Sequence, residues 1–296
     1  MCGIAGLQVR DPSLEPRLGE LLTGMLHQAA ERGPDSAGVA LYGDARLTPP
    51  GHSAVSLLAP GDASASEIAA RIGGDTAAVT VSQSTVVHSP TLAVADLEKA
   101  VRAAFPQAVI TGRGTGLAVL KGVGHPDVLA EEFDLRAATG RQGIAHTRMA
   151  TESAVTPEGA HPFSVDENVC LVHNGSFANH ATIRRELRAE GIEFDSENDS
   201  EVGARFVAAQ LAAGHDLEKA LKLLCERFDG FYTLLVTTGD TFAVVRDAIA
   251  CKPAVVAETD AWVAMASEYR YFAHLPGIES ARVFEPEPEE VYTWQR

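Results

Sequence analysis

The 296-residue chain has no CxxC pair among its four cysteines, no cluster of lysine and arginine and no phosphate-binding glycine loop. It also lacks any run of about 18 apolar residues, the length a membrane-spanning helix needs. Each absence removes a class of function. Cys2, Cys170, Cys225 and Cys251 lie too far apart in sequence to suggest a zinc site or a disulfide scaffold, and the last three read as buried apolar residues. With 24 Lys and Arg against 40 Asp and Glu, a formal charge of −16, the surface does not suit a polyanion, because nucleic-acid binding depends on clustered cations that displace counterions. The opening MCGIAGLQVRDP carries no basic segment ahead of its apolar stretch, which does not fit a signal peptide. A cytoplasmic protein with no nucleic-acid or membrane partner, no metal and no cofactor is expected. The GxGxG run at Gly112 to Gly116 lacks the spacing of a dinucleotide fingerprint and reads as a turn.

What is present is a mixed pattern of periods two and 3.6. Gly3 to Val9 reads as a short buried strand, and Leu14, Leu18, Leu21, Leu22, Met25 and Leu26 follow at helical spacing, ended by Arg32-Gly33-Pro34. Gly38 to Tyr42, Gly143 to His146, Val169 to His173 and Trp262 to Ser267 read as further strands. Helices are expected around Ile183 and Leu187, from Val202 to Leu211 and from Leu217 to Phe228. Phe231 to Val236 and Thr241 to Arg246 form a hairpin pattern through Thr238-Gly239-Asp240. Residues 51–128 differ in character, with β-branched runs flanking a helix from Ala93 to Phe105, and suggest a small βαβ-type unit. The acidic, proline-rich tail FEPEPEEVYTWQR is expected to run along the surface.

Cys2 stands out for a chemical reason. Removal of Met1 would leave its thiol beside a free α-amine, placing a nucleophile and a base on one residue. Unperturbed pKa values of about 8.5 for the thiol and about 7.7 to 8.0 for the amine let the second take the proton of the first near neutral pH. A cysteine in second position can equally be incidental, so the weight falls on the rest of the chain.

Five clusters supply it: MCGIAGL at the start, ERGPDSAG at Glu31 to Gly38, GIAHTRMAT at Gly143 to Thr151, AHPF at Ala160 to Phe163 and LVHNGSFAN at Leu171 to Asn179. DSE at Asp199 to Glu201 follows. In this order they resemble the glutaminase domain of the class II, N-terminal-nucleophile glutamine amidotransferases. The resemblance spans most of residues 1–296 except 51–128, an interval that is usually much shorter in that family. It implies an α+β fold, a four-layer αββα sandwich with the small α/β unit inserted, in which L-glutamine is cut to glutamate and ammonia through a cysteine thioester.

Roles for the remaining residues follow from the chemistry and from the resemblance together. A tetrahedral oxyanion needs preorganised donors, which the Asn174 amide and the Gly175 backbone N–H can supply; the family uses these positions as the oxyanion hole, although Asn-Gly alone is also a common turn. Arg148 can grip a carboxylate with its planar fork, with the Thr151 hydroxyl beside it, and Asp199 can take the α-ammonium of glutamine or cap the following helix. His161 is expected to line the substrate pocket. Arg32 and Asp35 are expected to brace the loop around Cys2, and His146 and His173 to pack structurally. Met149 replaces the Trp or Tyr that family members often carry after the Arg of HTR, which bears on the lid contacts.

No synthase motif follows the clusters. The resemblance therefore implies a glutaminase subunit that passes ammonia to separately encoded synthase subunits in a hetero-oligomer, of the split glutamate synthase or N-methylglutamate synthase type; residues 51–128, inserted between the second and third clusters, are a candidate docking subdomain. Two rivals remain at this stage: a non-catalytic glutamine-sensing or scaffold subunit, and a hydrolase of another amide, which the Arg148 and Asp199 pair disfavours.

Overall fold

A strand buried on both faces must be central to its sheet, and all seven residues of β1 (Gly3–Val9) are buried. The structure is a computed structural model that describes residues 2–58, 60–61, 63–149 and 155–296. After β1 the chain runs through α1 (Leu18–Ala29), β2 (Ser36–Tyr42), β3 (Ser53–Leu58), α2 (Ala65–Ile72), β4 (Ala77–Val81), β5 (Ser84–Ser89), α3 (Val94–Ala104), β6 (Ile110–Thr115), β7 (Leu117–Val123) and α4 (Pro126–Glu132). It continues with β8 (Gln142–Arg148), β9 (Phe163–Asp166), β10 (Val169–Phe177), α5 (His180–Ala189), α6 (Asp199–Ala212) and α7 (Leu217–Arg227). The last strands are β11 (Gly230–Thr237), β12 (Thr241–Arg246), β13 (Val255–Glu258), β14 (Trp262–Ala266), β15 (Arg282–Phe284) and β16 (Tyr292–Gln295).

Among the described residues these strands form three antiparallel sheets. A seven-stranded sheet has the order β15-β13-β14-β1-β8-β2-β7, and a five-stranded sheet the order β16-β12-β11-β10-β9. Strand periodicity sorts the side chains of β1 to two cores. Ile4 joins Tyr42, Ile144, Val172, Leu235 and Phe242 between the two large sheets, while Ala5, Leu7 and Val9 pack with Leu18, Leu22 and Met25 of α1 on the outer face. Gly6 faces the inter-sheet core, where a Cβ would come within 2.4 Å of Leu235 Cδ2, so the sheets close over it without a side chain. The far face of the smaller sheet buries Leu171, Leu234 and Val245 against Ile183, Val202 and Leu221 of α5, α6 and α7. The result is the αββα sandwich.

The third sheet, β4-β5-β3-β6, is formed by the chain order β3-α2-β4-β5-α3-β6. That is the split βαβ arrangement of ferredoxin-like units, with its own core of Val55, Leu57, Ile68, Val87, Leu97 and Val101. The interval 51–128 is thus shared between two sheets: β7 leaves the small unit and pairs with β2 at the edge of the seven-stranded sheet. Ser53 pairs with Thr115, so the small unit enters and leaves the sandwich at one place.

Three sequence expectations change: the Gly112 to Gly116 run, read as a turn, lies largely in strand β6, where Gly112 and Gly114 pair with Ser56 and Ala54 of β3. The acidic tail does not simply run over the surface, because β15 pairs with β13 and β16 with β12, adding an edge strand to each large sheet. Trp294 rests against Phe242 and donates to Glu258 at 2.7 Å, which draws the polar segment in. Of the three cysteines expected to be buried, Cys170 is buried, Cys225 is half-buried and Cys251 is exposed.

Candidate active site

The site assembles where β1 begins. Gly3 pairs with Thr147 of β8, which sets Cys2 beside the Arg148 end of that strand. The Cys2 carbonyl accepts two hydrogen bonds, from Arg32 Nε at 3.0 Å and from Asn174 Nδ2 at 3.2 Å. Arg32 also binds Glu268 at 2.8 Å, and Arg270 bridges Glu268 and Glu31, so the turn before β2 is tied to the segment after β14 around the cysteine. Asp35 joins the same frame through its backbone N–H, which donates to the Arg148 carbonyl at 3.1 Å. Met1 lies outside the described residues, as does Thr151.

Asn174 and Gly175 lie inside β10, in register with Thr233 and Tyr232 of β11, and so are not a free turn. Gly175 has φ +148°, and a Cβ there would fall 2.0 Å from the Phe231 carbonyl oxygen; only glycine lets β10 and β11 approach at this point. Asn174 is buried, with one amide proton engaged by the Cys2 carbonyl and the second without a hydrogen-bond partner among the described residues.

Asp199 opens α6. Its carboxylate accepts the Phe177 N–H at 2.9 Å, and the helix is capped by Asn198, whose side chain accepts from Ser200 N. The capping role considered for Asp199 therefore belongs to its neighbour. Arg184, buried under α5, donates to the carbonyls of Ser196 and Asn198 at 2.7 and 2.9 Å, and Glu201 accepts the N–H groups of Asp195 and Ser196. These two residues shape the turn that presents Asp199. Glu201 was visible only as the last letter of DSE, and nothing in the sequence pointed to Arg184.

His161 is buried, its ring centroid 4.1 Å from that of His146 with the rings tilted by 33°, and edge-on to Phe163. Its Nε2 meets Ser200 Oγ at 2.9 Å, and His173 Nδ1 meets the same hydroxyl at 2.8 Å. His146 Nε2 donates to the His173 carbonyl at 3.0 Å. Burial disfavours the imidazolium in all three, pushing His146 down to about 3 and lowering His161 and His173 as well. Next to Phe163, the buried Lys121 ammonium lies 4.5 Å above the ring, and desolvation lowers its pKa to about 7. Arg148 is 9% exposed, whereas Met149 beside it is 41% exposed, an apolar side chain at the rim.

The histidine cluster makes stability depend on acid. In the unfolded chain a histidine titrates near pH 6.5, whereas folded His146 stays neutral to about 3, facing His161 and His173 with Arg148 and Lys121 adding positive charge. Between those values the unfolded state binds the extra proton, so stability falls as pH drops below about 6.5. Thermal melts from pH 7.5 to 4.5 should show Tm falling, and His146→Gln, which keeps a donor toward the His173 carbonyl, should lose less over the same window.

A sequence profile described as a glutamine amidotransferase domain matches residues 146–274. The glutamine amidotransferase-like protein GlxB of Rhizobium meliloti is 48% identical over 295 residues, covering 99% of this chain and 98% of that protein. The chain belongs to the class II glutamine amidotransferase family. A putative glutamine amidotransferase of Methanothermobacter thermautotrophicus is 30% identical over 90% of the chain and 92% of its own length. Among solved structures, the glutamine phosphoribosylpyrophosphate amidotransferase of B. subtilis shares the fold, with TM-score 0.61 at 18% identity over 99% of this chain and 49% of that one. As a class II glutamine amidotransferase, the protein is a glutaminase with an N-terminal cysteine nucleophile. Among the described residues no helix is long and apolar enough to cross a membrane, and no group of three or more His, Cys, Asp or Glu is placed to hold a metal.

Proposed function

We propose that this amidotransferase is the glutaminase subunit of a larger complex, hydrolysing L-glutamine and handing the ammonia to a separately encoded synthase of glutamate synthase or N-methylglutamate synthase type. The observation that carries the chemistry is the junction of Cys2 with Asn174 and Arg32, whose side chains both donate to the Cys2 carbonyl and so bring an amide donor to the residue that bears the thiol. The α-amine of a processed Cys2 takes the thiol proton; the thiolate attacks the side-chain amide carbon; Asn174 and Gly175 hold the resulting oxyanion. The proton returns to the leaving nitrogen as the C–N bond breaks, releasing ammonia and leaving a thioester. Water, deprotonated by the same amine, then cleaves the thioester to glutamate. Arg148 and Thr151 take the α-carboxylate and Asp199 the α-ammonium.

The chain spans nearly all of the Rhizobium relative but 26% of the glutamine–fructose-6-phosphate aminotransferase of Streptomyces coelicolor, with which it is 37% identical over 161 residues. The ferredoxin-like unit is the feature available to grip a synthase, and because Ser53 and Thr115 are paired it can be excised and replaced by a short linker. Purifying the native complex while assaying glutamate release should recover synthase subunits. The chain without residues 54–114 should keep glutaminase activity and lose the partners; full assembly without the unit would overturn the docking role, and isolation as a lone active chain would overturn the complex.

A further inference from the structure

We propose that Ser200 is a positioning residue that aims the Asp199 carboxylate at the substrate, backed by His161 and His173; the proposal rests on the reading of Asp199 as the α-ammonium site. The argument is a count of protons. Ser200 Oγ has three neighbours at bonding distance: His161 Nε2 at 2.9 Å, His173 Nδ1 at 2.8 Å and Asp199 Oδ1 at 3.3 Å. A carboxylate only accepts, so the single hydroxyl proton goes to Asp199, and both imidazoles must donate to the two lone pairs of the Ser200 oxygen.

That assignment closes the whole cluster. His146 faces a carbonyl and must carry its proton on Nε2. The nitrogens left over, His146 Nδ1, His161 Nδ1 and His173 Nε2, are buried and have no hydrogen-bond partner among the described residues. With the protons placed as above each of them is a bare lone pair, and no buried N–H is orphaned. The three rings are neutral, as burial requires, and their donors converge on one hydroxyl that has a single place to send its proton. His173 is itself fixed by stacking on Phe177 at 4.4 Å, and the Phe177 N–H holds the second Asp199 oxygen. Both oxygens of Asp199 are thereby oriented, one from β10 and one from Ser200, while its side chain remains 22% exposed.

The test separates orientation of Asp199 from the presence of its charge. Hydrolysis of L-glutamine is compared with that of glutaramate, the analogue in which hydrogen replaces the α-amine, as a ratio of kcat/KM values. Asp199→Asn should collapse the preference for glutamine. Ser200→Ala should lower it by about tenfold, through a raised KM for glutamine with little change in kcat and little change for glutaramate, because one hydrogen bond to a charged group is lost. Ser200→Thr, which restores the hydroxyl, should recover the preference, and Ser200→Cys, near-isosteric with a weak donor, should behave as alanine does and serves if the alanine variant does not fold. A preference unchanged in both Ser200→Ala and Ser200→Cys while Asp199→Asn loses it would overturn the positioning role. A preference unchanged in Asp199→Asn would overturn the reading beneath it.

Discussion

Cys2→Ala should reduce glutamate release from glutamine by about ten-thousand-fold or more, to the level left by binding and the oxyanion donors alone. The variant should fold, because the Arg32 and Asn174 bonds go to the Cys2 carbonyl, which alanine keeps. Tm should therefore match the unmodified protein while turnover is lost, and within the proposed complex a synthase partner should still accept added ammonia. Intact mass of active enzyme should show Met1 removed. Full activity with Met1 retained would contradict an α-amine base, and undiminished activity without the thiol would remove the nucleophile assignment.

Asn174→Ala should lower kcat by about 10² to 10³, or ~2.7 to 4 kcal/mol, with KM for glutamine nearly unchanged. The split follows from when the interaction forms: an oxyanion exists only in the tetrahedral state, so its donor contributes to the barrier and little to ground-state binding. Loss of the 3.2 Å bond to the Cys2 carbonyl also loosens the nucleophile and pushes the effect toward the upper end. Pre-steady-state release of ammonia, which isolates thioester formation, is the measurement. A rise in KM at constant kcat would place Asn174 in substrate binding.

The nucleophile and the strands that carry it were readable because both depend on local pattern. Gly3 to Val9 is apolar but for Gln8 and is strand β1 with those bounds; the 231–246 hairpin and the helices α5 to α7 show their periods as plainly. The ferredoxin-like topology was less legible. Its β-branched runs mark strands, but the order β4-β5-β3-β6 depends on pairing between segments up to about sixty residues apart, and β7 reads like its neighbours while belonging to another sheet. The tail strands were missed for a similar reason. Three residues of β15 and four of β16 are too few to show a period, and they become strands because β13 and β12 offer unpaired edges.

Residue types alone put a thiol at position two, an amide beside a glycine, and an arginine and an aspartate of the charges a zwitterion calls for. Which of them meet was decided in three dimensions. Asn198 took the helix cap, leaving the Asp199 carboxylate for Phe177 and the site. His161, a pocket candidate by sequence, became one of three neutral imidazoles converging on Ser200. The physical reason is the same in each case: a polar group removed from water must find a partner of matching donor or acceptor type, and that partner comes from whichever segment the packed sheets bring alongside, not from the residues next to it in the chain.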